Sequence, residues 1–391
     1  MPDLPVSIHP FSIHPVSIHP VQSPADQRAF VDLPWDIYRD DPAWVPPLKS
    51  EVHGLIGGPA KNPWFLHGRA AFFLAKRGRQ VVGRISAQVC DLVQAARPGL
   101  GQWGLFETVD DMAVSAALIA AAENWLRDAG MTQAQGPISI SIWDEPGLLV
   151  SGFDLRPVVM MGHHRQWYER HVLAAGYAGV KDLHAWRVKI DNGFPPLVDR
   201  IVAAGEHNKR IRVRKLDMAR YDEESTLILD ILNEAWSDNW GFVPLTDAEV
   251  AYVGKKLKPI AYPHLVRVAE YDGVPVAFMI TLPDLNELSA DLNGRLFPFG
   301  WAKLLWRLRQ PRTRIMRVPL MGVRKHLQGT RLASILAFMM IELIRRDAVV
   351  INAATEGEIG WILEDNGPMI SIANAIHSHV AKTYRIYEKR L

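Results

Sequence analysis

The chain has 391 residues, of which 48% are hydrophobic and 22% charged, with a net charge of +2. That is room for two ordinary domains and a large core, and the balance excludes a disordered polyelectrolyte. One cysteine, Cys90, excludes an intramolecular disulfide and a Cys-rich zinc site. No apolar run is long enough to span a bilayer, since residues 332–344 end in Arg345-Arg346-Asp347, and the N-terminus lacks the pattern of a signal peptide. Both points fit a cytoplasmic protein.

Residues 1–24 carry a repeat: Ser7-Ile8-His9-Pro10, Ser12-Ile13-His14-Pro15, Ser17-Ile18-His19-Pro20. Proline at every fifth position predicts a disordered tail rather than helix or paired strand, and extended histidines make no fixed metal cage. Residues 24–40 then read as a strand and a helix, broken by Asp41-Pro42-Ala43-Trp44-Val45-Pro46-Pro47. Strand-like runs at 71–76 and 80–88 flank Arg77-Gly78 as a hairpin. A strand at 103–107, an Ala-rich helix at 112–129 stopped by Gly130, a strand at 132–138, a helix at 165–175 and a strand at 182–190 follow.

The same order returns in the second half. A helix at 223–236 precedes a hairpin, 265–271 and 274–282, turning at Asp272-Gly273. Next come a strand at 315–321, a helix at 332–346, a strand at 349–354, a helical region at 359–377 and a last strand at 383–388. The hairpins superimpose in sequence: Leu74-Ala75-Lys76 on Val268-Ala269-Glu270, and Val82-Gly83 on Val276-Ala277. The pattern predicts a duplicated α/β unit: a tail at 1–24, one domain at 25–193 and a second at 194–391.

Between the strand at 315–321 and its helix lies a basic turn, Gly322-Val323-Arg324-Lys325-His326-Leu327-Gln328-Gly329-Thr330-Arg331. A helix start offers unpaired N–H groups and the positive end of the macrodipole, so this turn predicts an anion site. Residues 292–341 contain no Asp or Glu, which makes the segment a local positive field. A phosphorylated ligand held at a strand edge follows, with coenzyme A the first candidate.

The chain resembles the GNAT superfamily of acyl-CoA N-acyltransferases arranged in tandem. The resemblance rests on the 41–47 segment, Val82-Gly83-Arg84-Ile85, Gly136-Pro137, Gly147-Leu148-Leu149, Asn239-Trp240-Gly241-Phe242-Val243-Pro244 and Gly360-Trp361-Ile362-Leu363-Glu364-Asp365-Asn366. It implies two GNAT-like α/β domains, each a mixed, mostly antiparallel sheet flanked by helices. It also implies acyl transfer from acetyl-CoA or another acyl-CoA to an amine, with no metal. The family's pyrophosphate turn, Arg/Gln-x-x-Gly-x-Gly/Ala, is matched by His326-Leu327-Gln328-Gly329-Thr330-Arg331, where Gly329 fits and His326 and Arg331 depart. The resemblance thus assigns cofactor binding to Met321, Gly322, Val323, Arg324, Lys325, Gln328, Gly329, Thr330 and Arg331. The first half's counterpart, Glu107-Thr108-Val109-Asp110-Asp111-Met112, lacks glycine and carries three acids, so that half is expected to bind no cofactor.

Acyl transfer to an amine needs a neutral nucleophile, a donor for the thioester oxygen and a fate for the thiolate. Family geometry gives the donor role to a backbone N–H at Met321 or Gly322. Glu356, Glu358 and Glu364, placed just past the fifth strand, are the candidate bases, although capping a helix explains each of them too. Asn366 is a candidate partner for pantetheine or acceptor. Trp236, Asn239 and Trp240 are the expected acceptor contacts. The acceptor itself is expected to be a small amine or a lipid precursor. No nucleic-acid partner is expected, although a Fem-like aminoacyl transferase using charged tRNA is the nearest alternative, and a non-catalytic scaffold is another. Residues 296–308 have the composition of an interfacial helix, which leaves a peripheral membrane contact open.

Overall fold

The computed structural model describes residues 14–391. The first half contains β1 (Val16–Pro20), α1 (Pro24–Ile37), α2 (Lys49–Leu55), β2 (Gly68–Arg77), β3 (Gln80–Cys90), α3 (Asp91–Ala96), β4 (Leu100–Thr108) and α4 (Met112–Asp128). It continues through β5 (Gln133–Gly136), β6 (Ile138–Ser139), β7 (Glu145–Pro146), β8 (Leu148–Ser151), α5 (Tyr168–Ala174) and β9 (Ala178–Lys189). The second half contains α6 (Pro196–Glu206), β10 (Ile211–Lys215), α7 (Tyr221–Ala235), α8 (Asp247–Leu257), β11 (Val266–Tyr271), β12 (Val274–Pro283), α9 (Leu285–Ser289) and α10 (Gly300–Arg309). It ends with β13 (Ile315–Val323), α11 (Arg331–Asn352), β14 (Glu356–Leu363), α12 (Gly367–Ala375) and β15 (His379–Arg390).

The duplication is legible in the backbone. The hairpins β2–β3 and β11–β12 carry a bulge at the same place: pairing slips after Ala75↔Gly83 in one and after Ala269↔Ala277 in the other. The next strands bulge alike. Leu105 and Phe106 together oppose Ile85, and Val318 and Pro319 together oppose Thr281. A bulge of this kind bends a strand and ends its pairing locally. In both halves the bulged strand runs parallel to the following one for only a few residues, β4 with β5 and β13 with β14.

The halves do not divide into two sheets at residue 193. Strands join in the order β1-β2-β3-β4-β5-β15-β9-β14-β13-β12-β11-β10, so one sheet crosses the molecule. The closing strand of each half is lent to the other: β15 pairs with β5, and β9 pairs with β14. The two exchanged strands also pair with each other along most of their length. The apolar residues of each half form a core against α4 on one side and against α6 and α11 on the other.

Four sequence expectations change. Residues 24–40, expected as a strand and a helix, hold helix α1 over Pro24–Ile37, opened by the Ser23 capping box. The tail is not disordered up to residue 24: Val16–Pro20, the third copy of the repeat, pairs with Phe73–Arg77. β1 is an edge strand with its proline at the last position, the place where a missing N–H costs least. The first copy of the repeat lies outside the described residues. The strand expected at 349–354 is the last turn of α11 followed by its cap. Val349-Val350-Ile351 favour β structure, but tertiary anchoring prevails. Asn352 is buried, its amide donating to the Pro311 carbonyl at 2.8 Å and its Oδ1 meeting His264 at 2.9 Å. Ala353 then takes a left-handed conformation (φ 58°), and Thr355 and Glu356 both donate to the Arg314 carbonyl. The strand therefore starts later, and the segment expected to be helical from 359 is β14 through Leu363, with α12 beginning only at Gly367.

Candidate functional site

The parallel contact of β13 with β14 covers only Ile315–Val318 against Glu356–Ile359. Beyond it β13 bends at the Val318–Pro319 bulge and the strands part into a wedge. Pro319 and Met321 line one wall and Gly360, Trp361 and Ile362 the other, while Trp236, Asn239 and Asn366 close the rim. The space is about 440 Å3. Trp236 caps the end of α7 and donates its indole N–H to the Met321 carbonyl at 3.0 Å. It stacks on Trp143 from the first half (centroids 5.7 Å apart, 17° between planes) and leans on Trp361 at 6.0 Å. The three indoles form a wall spanning both halves. None of the residues lining the wedge has a titratable side chain.

A second space lies between the same strands and helices α11 and α12. It shares Val318, Met321, Ile359 and Met369 with the wedge, so the two adjoin across these side chains. Its walls are aliphatic and methionine, including Met279, Met316, Ile341, Ile344 and Ile372, with one ring, Phe194, and the only polar residues among them are Thr281 and Arg345. This chamber is the feature sequence reading missed. Its residues look like ordinary core in the sequence, and part of its wall, Met316, Val318, Gly357 and Ile359, lies where β13 and β14 still pair.

The basic turn stands at the mouth of the wedge. Gly329 has φ 73°, a left-handed conformation that L side chains avoid, and open space where a Cβ would sit. Thr330 caps α11 by accepting from the Ala333 N–H at 3.2 Å. Among the described residues the N–H groups of Gly329, Arg331 and Leu332 meet no protein acceptor, and exposed Arg331 has no ion partner. The other cations are committed. Arg324 forms a fork to Glu234 and to Asp230, the latter at 2.9 Å. Lys325 pairs with Asp238 at 2.7 Å, and its own N–H donates to Glu234 at 2.9 Å. Gln328 donates to the carbonyls of Ala235 and Val323. These three pin the turn to the acidic end of α7, so the expected free basic cluster is reduced to Arg331 and the helix start. Met321, Gly322 and Val323 end β13 as expected, and Gly322 lies so close to Phe278 and Ala235 that a Cβ would collide with them.

The expected acids scatter. Glu356 opens β14 at the end away from the wedge and pairs with Arg314 and, at 3.6 Å, with Arg187. It is held in a strand-start ion pair outside the wedge, because β14 starts later than the sequence suggests. Glu358 is fully buried on the opposite face of β14 from the chamber, bonded to Arg187 at 2.9 Å. Glu364 does follow the strand, near the wedge mouth, but accepts from the Asp182 N–H at 3.2 Å. Asn366 lines the wedge while capping α12, accepting from the Met369 N–H at 3.2 Å. Trp236 and Asn239 line the wedge; Trp240 does not, packing instead on the first-half core with Lys181 over its ring at 5.8 Å. Cys90 is buried in the first half and lines neither space.

No family model matches the chain. Solved structures with a similar fold include a tandem GNAT protein from the clavulanic acid biosynthesis pathway, at TM-score 0.55 and 12% identity over 96% of this chain and 98% of that one. A GCN5-related N-acetyltransferase from Sphaerobacter thermophilus aligns at TM-score 0.52 and 15% identity over 96% and 95% of the two chains. These likenesses establish the fold. Two relatives are far closer in sequence. Protein YghO of Escherichia coli K12 is 40% identical over 94% of this chain and 93% of its own length. The bacterial ceramide synthase of Caulobacter vibrioides is 42% identical over 95% and 96%. Near-complete coverage at such identity leaves one conclusion: the chain belongs to the family of these two proteins and is built on the tandem GNAT acyltransferase fold.

Proposed function

We propose that the protein moves a fatty acyl group from acyl-CoA to the amino group of a lipid-like amino alcohol. The observation that carries this reading is the apolar chamber that adjoins the wedge across Val318, Met321, Ile359 and Met369. An acetyl group would need the wedge alone. A long acyl chain needs a dry extension, and each buried methylene adds about 0.8 kcal/mol of binding. A ceramide is the amide of a fatty acid and a long-chain amino alcohol, so the name of the Caulobacter relative supports the same assignment.

In this reading the unpaired N–H groups of Gly329, Arg331 and Leu332 take the pyrophosphate, with Arg331 adding a guanidinium. The pantetheine arm lies along the β13 edge freed by the bulge. A strand residue presents its N–H and C=O to the same side, and Trp236 takes the Met321 carbonyl from the wedge. The Met321 N–H therefore faces the thioester oxygen and steadies the charge that builds there. The acceptor nitrogen attacks the carbonyl carbon, a C–N bond forms, the C–S bond breaks and coenzyme A leaves as thiolate. With no titratable side chain in the wedge, the amine enters neutral and its proton leaves to water. Asn239 and Asn366 are placed to bond the acceptor's hydroxyl. Cys90, buried elsewhere, gives no support to a covalent intermediate, so direct attack in a ternary complex is the preferred route.

The test is to supply purified protein with a long-chain 2-amino alcohol and either palmitoyl-CoA or acetyl-CoA, following thiol release and amide mass. Long-chain amide formed at least ten times faster than acetamide is the expected result, with a rate that rises with pH along the amine's own titration. Equal rates would sink the chain assignment. Absence of both turnover and acyl-CoA binding would sink the acyl-CoA reading and favour a Fem-like donor or a scaffold.

A further inference from the structure

Helix α10 is amphipathic in the wrong direction for a soluble surface. A surface helix ordinarily turns its charged side to water and its apolar stripe to the core. Here Lys303 and Arg307 turn back to the protein, where both pair with Asp291 and Arg307 also donates to the Leu288 carbonyl. Tyr262 holds the far end through the Leu308 carbonyl. The outward face carries Trp301, Leu305 and Trp306, at 47%, 56% and 72% exposure, and no residue of α10 is buried. The preceding loop adds Phe297 and Phe299, at 82% and 78%. This is the densest group of exposed large apolar side chains among the described residues, of the size that marks a binding surface.

Charge decides what covers it. Arg295, Arg309 and Arg312 surround the patch, exposed and without ion partners among the described residues. Asp291, the acid that pairs with α10, is spent on Lys303 and Arg307, and Glu287 of α9 accepts from the Arg314 N–H at 2.7 Å. A second copy of this surface would set guanidinium against guanidinium, which counts against a symmetric dimer. Aromatic side chains rimmed by unpaired arginines fit the boundary between lipid headgroups and acyl chains. We infer that α10 and its loop dock the protein on an anionic lipid bilayer, with Phe297, Phe299 and Trp306 entering the boundary and Arg309 and Arg312 meeting the headgroups.

The placement suits a path between bilayer and site. The segment leaving α10 leads straight into β13, and its Pro311 carbonyl is bonded by Asn352, one turn beyond Ala348 of the apolar chamber. Patch and chamber therefore lie at the same end of the sheet. The docking inference stands on exposure and charge alone and does not need the acyltransfer reading.

Vesicle flotation of the full chain tests it without any activity assay. Wild-type protein is expected to float with equimolar phosphatidylcholine–phosphatidylglycerol vesicles and much less with phosphatidylcholine alone. High salt should weaken the binding, because exposed charges are screened. Phe299→Glu/Trp306→Glu should cut bound protein at least tenfold, and Arg309→Glu/Arg312→Glu should remove most of the preference for anionic lipid. Both pairs are exposed, so an unchanged melting temperature is expected and serves as the folding control. Failure of folded wild type to float, or flotation of Phe299→Glu/Trp306→Glu equal to wild type, would overturn the assignment. So would a wild-type dimer in light scattering that the same variant turns into monomer.

Discussion

The two halves share the bulge that opens a wedge, and only the second half leaves the wedge unfilled by its own chain. Both have a bulge on the bulged strand's partner-facing edge, and in both the parallel strands separate after a short contact. In the first half the gap beyond Gln102↔Gln135 is filled by the chain itself. β6 packs against β4, with the Ser139 hydroxyl accepting from the Leu105 N–H at 3.2 Å and Gly104 pressed against the Ile138 carbonyl, where a Cβ would have no room. The turn beyond is closed too. Asp111 caps α4 and pairs with Arg77 at 2.6 Å, and Asp110 pairs with Arg170. Glu107 is buried, bonded by the hydroxyls of Tyr38 and Tyr168 at 2.8 and 2.7 Å. In the second half the gap is empty and the helix start has free N–H groups. On the proposed function, the first half is the copy whose gap is plugged and whose anion turn is filled with carboxylates, while its fold keeps the bulge.

The sharpest way to break this contrast is at the second-half turn. Gly329→Glu puts a side chain on a left-handed residue and an anion among the free N–H groups. Acyl-CoA affinity measured by calorimetry should fall at least a hundredfold. Substituting the first-half acids should do the opposite of opening a site: Asp111→Ala should leave acyl-CoA affinity unchanged and lower stability in urea by about 1–2 kcal/mol through the lost cap. If Asp111→Ala altered acyl-CoA binding as much as Gly329→Glu does, the assignment of one active and one retired half would be wrong.

The chamber gives the next effect. Ala348→Leu adds three carbons to its wall, so the longest well-used acyl chain should shorten by about two or three methylenes. At about 0.8 kcal/mol per methylene, the ratio of kcat/KM for long over short acyl-CoA should drop roughly tenfold or more. An unchanged ratio would place the chain elsewhere. Trp236→Phe is milder: it keeps the ring in the indole wall and removes only the donor to the Met321 carbonyl. It should lower kcat several-fold and change stability little.

Much of this was readable in the sequence because local patterns decided it. The hairpin alignment of Leu74-Ala75-Lys76 with Val268-Ala269-Glu270 matched positions that the fold also makes equivalent, and the Gly329 turn stood out by its glycine and its acid-free surroundings. What was not readable depends on partners far along the chain. The commitment of Arg324 and Lys325 to α7 needs residues some 90 positions earlier, and a basic turn looks free until those acids are placed. The exchange of β9 and β15 is a choice between equivalent edges, which strand patterns do not distinguish. The end of α11 was decided by one buried asparagine, Asn352, against three β-branched or aliphatic neighbours, and that error carried Glu356 into the candidate site. Segment 296–308 gave its composition away but not which face looks outward; Asp291 settles that.

A separate effect, read in stability rather than in turnover, concerns the seam between the halves. Asp284 follows β12 and reaches into the first half, accepting from the Val159 N–H at 2.9 Å as well as from Asn286 at 3.1 Å. Burial pushes its carboxyl up to about 7, against 3.8 for an ordinary aspartate. A raised folded-state value means the protonated form favours folding, so this contribution is whole below about pH 4 and is lost as pH climbs through about 7. Asp284→Asn stays neutral and keeps an oxygen for both N–H donors. The stability of the variant minus that of wild type should therefore rise between pH 4 and pH 7, by up to about 4 kcal/mol, and level off above. Urea titrations of both proteins across that range measure the difference directly. A flat difference would mean that Asp284 is solvated at the seam and that the halves are less tightly closed there than their shared sheet implies.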